Sequence, residues 1–274
     1  MTLKLGGPLV LVGAGKMGGA LLTGWVERGL DPASVYIQDP QPSHEITKLA
    51  KRTGMHVSGS LEDVPSGPSV IVLAVKPQIM DAVLPGLNSC IANETVVLSI
   101  AAGKTIEYFQ RHLGADTAIV RSIPNTPAAI GRGVTVASAN PNVTAQQKEL
   151  CHVLLQAAGM VAWSDDEAVI DPVTAVSGSG PAYVFLLAEC LEEAGIAAGL
   201  DKDLARMLAR ETVSGAGELL RRSELPAAEL RKNVTSPGGT TAAALEILMG
   251  EGGFEGLLIR AVKAAAERSR ELSS

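Results

Sequence analysis

The chain has 274 residues, a formal net charge of −6 at pH 7, 46% hydrophobic residues and only 3% aromatic residues. This length suits two modest domains better than one hydrophobic core. The acidic balance disfavours nucleic-acid binding, which needs clustered Lys and Arg, and three scattered cysteines with four scattered histidines indicate neither a disulfide framework nor a metal site.

The N-terminal segment, residues 1–8, leads into a glycine motif and lacks the cleavage pattern of a secretory signal. No apolar run reaches the roughly 18 residues that a membrane-spanning helix needs. The sequence therefore predicts a cytoplasmic protein.

Short apolar runs alternate with helical patterns through the first part of the chain. Strands are predicted at residues 9–12, 35–37, 70–75, 95–100, 119–122 and 134–137, and helices at residues 16–28 and 45–52. A series of strand, helix and strand is typical of right-handed βαβ units. The pattern therefore predicts an α/β fold whose N-terminal part is a doubly wound parallel sheet with helices on both faces.

The pattern changes after Trp163, beyond which no β-branched run remains. Apolar residues follow a helical spacing from Tyr183 to Ala194, and further helices are predicted at residues 204–220, 227–231, 241–248 and 254–272. We therefore expect an α/β domain at residues 1–164 and an all-helical domain at residues 165–274. The helices are rich in Ala and poor in charge, which favours burial of some faces against another subunit.

A glycine motif follows the first predicted strand and opens the first predicted helix. Gly13 would permit the tight turn, Gly15 would let a pyrophosphate approach the backbone, and Gly18 would let helix and strand pack closely. The anion would then face free N–H groups at the helix N-terminus. Glycine turns are common in sheet proteins, but the flanking strand and helix favour a dinucleotide site.

Two charged residues stand where predicted strands end. Asp39 could accept the ribose hydroxyls of NAD and repel the 2′-phosphate of NADP, or it could be an ordinary turn residue before Pro40. Lys76 could neutralise coenzyme charge or be a plain surface lysine, while Pro77 is expected to start a helix.

Two segments of the helical domain combine glycines, hydroxyl groups and a proline ahead of an apolar helix, at residues 177–183 and 233–241. Such helix starts expose N–H groups suited to a carboxylate, although Ser and Thr also favour ordinary capping. Neither a G-x-S-x-G elbow nor an H-E-x-x-H motif occurs, so the sequence does not indicate a hydrolase.

These motifs occur in an order that resembles the pyrroline-5-carboxylate reductase family. The resemblance extends from about residue 9 to residue 272 and includes the glycine motif and residues 74–77, 125–127, 177–183 and 236–241. It implies a Rossmann-type dinucleotide domain followed by a helical domain for dimerisation and substrate binding. It also implies an interlocked homodimer, with further assembly into a decamer.

The resemblance implies which positions meet the ligands. Residues implied to contact NADPH or NADH are Val12, Gly13, Ala14, Gly15, Lys16, Met17, Gly18, Asp39, Ser60, Ala74, Val75, Lys76, Pro77, Ala101, Ala102, Gly103 and Asn233. Those implied to contact the substrate are Glu167, Gly239, Thr240 and Thr241. This sequence differs from the residues familiar in the family at Lys16, Ser60 and Asp39. These differences concern the preference between NADH and NADPH and not the reaction.

The implied reaction is hydride transfer from the reduced nicotinamide to the C=N carbon of 1-pyrroline-5-carboxylate, which gives L-proline. The Thr241 hydroxyl would contact the ring nitrogen as the catalytic group. One alternative is a β-hydroxyacid-type dehydrogenase, which would need an acid–base lysine such as Lys202 or Lys232. A second alternative is a dinucleotide-sensing protein without turnover.

Overall fold

The computed structural model describes residues 5–273, so residues 1–4, where the N-terminal segment begins, and residue 274 lie outside the described residues. The chain divides into two compact units. The first contains the residues up to Gly178 together with those from Ala265 onward, and the second is Ser179–Ala264. The domain boundary predicted between residues 164 and 165 stays a prediction. It was placed where the secondary structure changes, whereas the packing of residues divides the chain after Gly178.

The first unit is built on one eight-stranded sheet with strand order β3-β2-β1-β4-β5-β6-β7-β8. The strands are β1 (Leu9–Val12), β2 (Val35–Gln38), β3 (His56–Ser58), β4 (Val70–Leu73), β5 (Val96–Ser99), β6 (Ala118–Ile123), β7 (Gly133–Ala139) and β8 (Gly159–Trp163). The strand order reverses between β1 and β4, because β2 and β3 lie on one side of β1 and β4 lies on the other. Doubly wound folds bind ligands at such a reversal point. The predicted fold class is confirmed.

The sheet is parallel as predicted except at one pair, because β6 and β7 run antiparallel. Residues 124–132 connect them through a 3₁₀ turn at Thr126–Ile130, and a parallel crossover needs about a dozen residues or more. The sequence prediction also missed β3 and β8. Both are short strands with exposed positions: β3 has no apolar run, whereas β8 has one in Met160–Trp163 that the sequence analysis did not assign to a strand.

Helices cover both faces of this sheet. They are α1 (Lys16–Glu27), α2 (His44–Thr53), α3 (Met80–Leu87), α4 (Ile106–Leu113), α5 (Ala145–Gln156) and α6 (Ile170–Val173). Side chains alternate along β1, so Leu9 and Leu11 pack in the core around Trp25, while Val10 and Val12 pack in the core around Phe109. Burial of both faces explains why the central strands are apolar throughout.

The second unit consists of helices. They are α7 (Gly180–Ala197), α8 (Lys202–Arg222), α9 (Ala227–Asn233), α10 (Thr240–Leu248) and the first part of α11 (Phe254–Ser273), whose last residues belong to the first unit. Large apolar side chains are exposed here, including Phe185, Ile247 and Ile259. Patches of this kind mark interaction surfaces. Across residues 5–273, none of the helices is long and apolar enough to span a bilayer.

One predicted loop is instead helical. For the segment at residues 177–183 the sequence left an anion-binding helix start and ordinary capping both open. In the structure a π-helical stretch, Thr174–Gly178, leads from α6 to Ser179, directly before α7. The Ser177 hydroxyl donates to the Val173 carbonyl 3.0 Å away. Helical turns therefore precede α7 where a loop was predicted.

Candidate active site

The glycine motif forms a tight turn between β1 and α1, and each glycine is needed for a different reason. Gly13 has φ +89°, and a Cβ there would lie 3.0 Å from the Ala74 carbonyl oxygen. A Cβ on Gly18 would lie 2.4 Å from the Gly13 carbonyl oxygen. A Cβ on Gly15 would meet no protein atom within 4 Å. Gly15 therefore leaves open space, which is what close approach of a ligand requires.

The N-terminus of α1 is equipped for an anion. Gly15 is the N-cap, no side chain caps the helix, and its first turn has no acidic residue. The first N–H groups of a helix have no intrahelical acceptor, and the helix dipole favours negative charge there. Gly15 and Lys16 are exposed beside this terminus, whereas Val12 and Ala14 are buried beneath it and Met17 is half-buried. The arrangement fits a pyrophosphate.

Asp39 lies immediately after β2 and is hydrogen-bonded to backbone on both oxygens. Its Oδ2 accepts from the Ala14 N–H at 2.8 Å, and its Oδ1 accepts from the Gln41 N–H at 2.9 Å. The carboxylate therefore braces the glycine turn and the turn that follows β2. It is half-buried, so its negative charge lies beside the residues predicted to bind the coenzyme.

The residues after β4 lie beside the glycine turn because β1 and β4 are neighbours. The Ala74 N–H donates to the Val12 carbonyl at 2.8 Å. Lys76 is exposed, and Pro77 opens a 3₁₀ turn at Pro77–Ile79 before α3 begins at Met80. Ser60, also exposed, caps a separate 3₁₀ turn by accepting from the Glu62 N–H at 3.1 Å.

The loop between β5 and α4 contains the predicted coenzyme contacts Ala101, Ala102 and Gly103. The Ala101 N–H donates to Ser99 Oγ at 3.2 Å. Gly103 is buried with φ +72°, and Ala102 is exposed. Because β5 lies beside β4, this loop follows the carboxyl end of the next strand along the sheet.

Glu167 forms an ion pair with a buried arginine that the sequence analysis missed. Its Oε1 accepts from Arg121 Nη1 at 2.8 Å and from the Ile106 N–H at 2.8 Å. Arg121 is only 2% exposed in the middle of β6, and its Nε and Nη2 atoms have no hydrogen-bond partner among the described residues. The available signal was a single charged residue inside an otherwise uncharged strand, because such residues are almost never buried unless paired. The predicted substrate contact of Glu167 stays a prediction.

The remaining predicted residues lie in the second unit. Asn233 ends α9 and is exposed, while Gly238 has φ +68° in the following turn. Gly239 is the N-cap of α10, and Thr240 and Thr241 are its first two residues. No side chain caps this helix, so the alternative of ordinary Ser or Thr capping is wrong at this position. The helix therefore begins with N–H groups that a carboxylate could engage.

Comparisons with known proteins agree with this geometry. Residues 167–272 match the family model for pyrroline-5-carboxylate reductase dimerisation, and residues 8–103 match that for NADP oxidoreductase, coenzyme F420-dependent. The pyrroline-5-carboxylate reductase of Pseudomonas aeruginosa is 40% identical over 97% of this chain and 96% of the relative. That of Synechocystis is 38% identical over 99% of both chains.

Solved structures give the same result. The pyrroline-5-carboxylate reductase of Coxiella burnetii matches with a TM-score of 0.90 and 34% identity, over 98% of this chain and 99% of the other. The Plasmodium falciparum pyrroline carboxylate reductase, whose structure contains NADP, matches with a TM-score of 0.84 and 30% identity over 100% of both chains. The chain therefore belongs to the pyrroline-5-carboxylate reductase family.

Proposed function

We propose that this chain reduces 1-pyrroline-5-carboxylate to L-proline with NADPH or NADH, the last step of proline biosynthesis. The observation that carries the proposal is the similarity at 40% identity over nearly the whole length of a named reductase. The open space at Gly15 and the uncapped start of α1 supply the matching coenzyme geometry. The enzyme is an oxidoreductase acting on a C=N bond.

When bound, the reduced nicotinamide supplies a hydride to the C=N carbon of the cyclic imine. The first N–H groups of α1 hold the pyrophosphate, and residues 74–77 and 101–103 border the nicotinamide half. The Asn233 side chain is proposed as a coenzyme contact from the second unit. The protein's contribution is orientation and electrostatics, and no strong general base is needed.

The substrate contacts are assigned to the start of α10 and to Glu167. The N–H groups around Gly239 and Thr240 hold the substrate carboxylate, and the Thr241 hydroxyl contacts the ring nitrogen, where it holds or relays a proton. Glu167 uses Oε1 for Arg121 and Ile106, which leaves Oε2 for a substrate contact.

An absorbance assay tests the proposal. We expect loss of the reduced nicotinamide band when pyrroline-5-carboxylate is supplied with the reduced coenzyme, and no appearance of that band when 3-hydroxy acids are supplied with the oxidised coenzyme. Turnover of 3-hydroxy acids without turnover of the imine would identify a β-hydroxyacid-type dehydrogenase instead. Tight coenzyme binding without turnover of either substrate would identify a dinucleotide-sensing protein.

We further propose that NADH serves at least as well as NADPH, because the Asp39 carboxylate would repel a 2′-phosphate. Comparison of kcat/KM for the two coenzymes tests this, with Asp39→Ser as the variant. The substitution should improve NADPH relative to NADH. A strong NADPH preference that Asp39→Ser leaves unchanged would contradict the role assigned to Asp39.

The assembly is proposed to be a homodimer that associates further into a decamer. A family model for reductase dimerisation covers residues 167–272, and exposed apolar side chains are concentrated on the helices of the second unit. The decamer rests on the family resemblance. The cytoplasmic location expected from the sequence stays a prediction.

A further inference from the structure

The last turn of α11 packs against the loop that joins β5 to α4. A Cβ built on Gly103 would lie 3.1 Å from the Leu272 carbonyl oxygen and 3.3 Å from the Leu272 Cβ. Gly103 is buried and its φ is +72°. The C-terminal turn therefore contacts the backbone of a loop that the proposed function assigns to the nicotinamide side of the coenzyme.

A buried side-chain contact fixes the same turn. Ser269 is only 6% exposed, and its hydroxyl donates to Asp171 Oδ1 at 2.6 Å. Asp171 in turn lies 3.9 Å from Arg121 Nη2, which is an ion-pair distance but too long for a hydrogen bond. Ser269 is therefore the hydrogen-bond donor that holds the carboxylate of Asp171 beside the buried guanidinium.

The guanidinium connects this contact to the far end of the loop. Arg121 Nη1 donates to Glu167 Oε1 at 2.8 Å, and the same oxygen accepts from the Ile106 N–H at 2.8 Å. Ile106 is the first residue of α4, directly after the loop. The loop is thus held at two points. Leu272 contacts it at Gly103, and the series of side-chain contacts that begins at Ser269 reaches it at Ile106.

We propose that the C-terminal turn of α11 acts through Ser269 as a positioning element for residues 101–105, and so sets the affinity for the coenzyme. This inference rests on the proposed function, which places the coenzyme beside the loop. Loss of the Ser269 hydroxyl removes a donor from a carboxylate whose side chain is mostly buried. The Asp171 carboxylate is then expected to turn towards Nε and Nη2 of Arg121, which have no hydrogen-bond partner among residues 5–273, and so to draw the guanidinium away from Glu167.

Three full-length variants test the proposal. Ser269→Ala removes the donor, Ser269→Thr keeps a hydroxyl, and Ser273→Ala is the matched control, because the Ser273 hydroxyl bonds within α11 to the Ser269 carbonyl. The dissociation constant of NADPH and NADH is measured by fluorescence titration, and KM and kcat by the imine assay. Thermal unfolding of each variant is measured in parallel.

We expect Ser269→Ala to raise the coenzyme Kd and KM by about five- to tenfold, with kcat much less affected. This is less than the full contribution of a charge-assisted hydrogen bond, because Ser269 acts on the loop through other residues. Ser269→Thr should recover most of the affinity, and Ser273→Ala should match the wild type. An Ala variant that melts earlier but binds coenzyme normally would overturn the inference and leave Ser269 a purely structural residue.

The titration also separates this inference from the proposed function. If the wild type binds coenzyme but does not reduce the imine, the proposed function fails, and the ratio of Kd values between Ser269→Ala and the wild type still decides the inference. A wild type that binds neither coenzyme overturns both.

Discussion

The glycines of the first turn show how single positions are fixed by different physical requirements. Gly13 needs a positive φ, and Gly18 needs the absence of a Cβ against the Gly13 carbonyl. Gly15 has an ordinary extended backbone, with φ −69° and ψ −162°, and empty space where a Cβ would lie. The fold itself therefore does not require glycine at this position. A role of Gly15 in ligand binding can thus be distinguished from a role in folding.

Gly15→Ala is expected to weaken coenzyme binding without loss of stability. The new methyl group fits the free protein but enters the space assigned to the pyrophosphate, and overpacking of this kind costs about 1–3 kcal/mol. The Kd for NADPH and NADH should rise by about tenfold or more, while the melting temperature should stay the same or rise slightly.

Gly217→Ala in α8 is the control, since a Cβ there also meets no atom within 4 Å. It should leave coenzyme affinity unchanged. Normal affinity of Gly15→Ala would show that the pyrophosphate does not approach this glycine.

Thr241→Ala is expected to lower kcat/KM by roughly ten- to a hundred-fold, since a hydrogen bond to a charged group contributes about 1.5–3 kcal/mol. Thr241 is not the N-cap of α10, and no side chain caps that helix, so the melting temperature should change little. Thr241→Ser, which keeps the hydroxyl, should lose much less activity. Normal turnover by the Ala variant, measured in the imine assay, would exclude Thr241 as the catalytic group.

Helices and strands were predicted where their patterns are local and strong. The strands at β1, β2, β4, β5, β6 and β7 are confirmed, with ends that differ by no more than two residues. The predicted helix at residues 45–52 is α2, and Gly54 ends it with φ +81°, a left-handed conformation that favours glycine. The direction of β7 and the presence of β3 depended on strand pairing, for which a single segment carries no signal, whereas β8 carried an apolar run that the sequence analysis did not assign to a strand.

Contacts between elements of the first unit include one that responds to pH. Tyr108 on α4 donates a hydrogen bond to Asp81 on α3 at 2.6 Å. This bond lowers the pKa of Asp81, with further contributions from Lys104 and His112, while burial and the same bond raise the pKa of Tyr108. A carboxylate with a lowered pKa stabilises the folded state above its unfolded pKa and loses that effect as the pH falls through the folded value.

Tyr108→Phe should therefore lower the melting temperature at neutral pH, and the difference from the wild type should narrow as acid protonates Asp81. Thermal unfolding between neutral pH and about pH 3 measures this, since an ordinary Asp titrates near 3.9. A difference that stays constant across this range would show that the bond does not depend on the charge of Asp81.

The predicted dimer is expected to form through the surface of the second unit. Ile247 on α10 is 78% exposed, and so is Met160 on the β8 strand of the first unit. An isolated exposed apolar residue is ordinary, but a continuous patch marks an interface.

Ile247→Lys is expected to shift the molecular mass measured by light scattering towards that of a single chain, while Met160→Lys, matched in exposure, should not. A wild-type protein that persists as one folded chain on dilution would contradict the predicted dimer.

The sequence by itself determined the α/β fold with its helical second part, the glycine turn and the family, because these depend on local periodicity, backbone φ requirements and ordered motifs. The tertiary structure alone decided which side chains hold that framework in place. Arg121 and Glu167 are 46 residues apart, and Ser269 and Asp171 are 98 apart. No local pattern links residues so distant, and only the packed chain brings the carboxylates of Glu167 and Asp171 to the buried guanidinium of Arg121, whose charge must be compensated there.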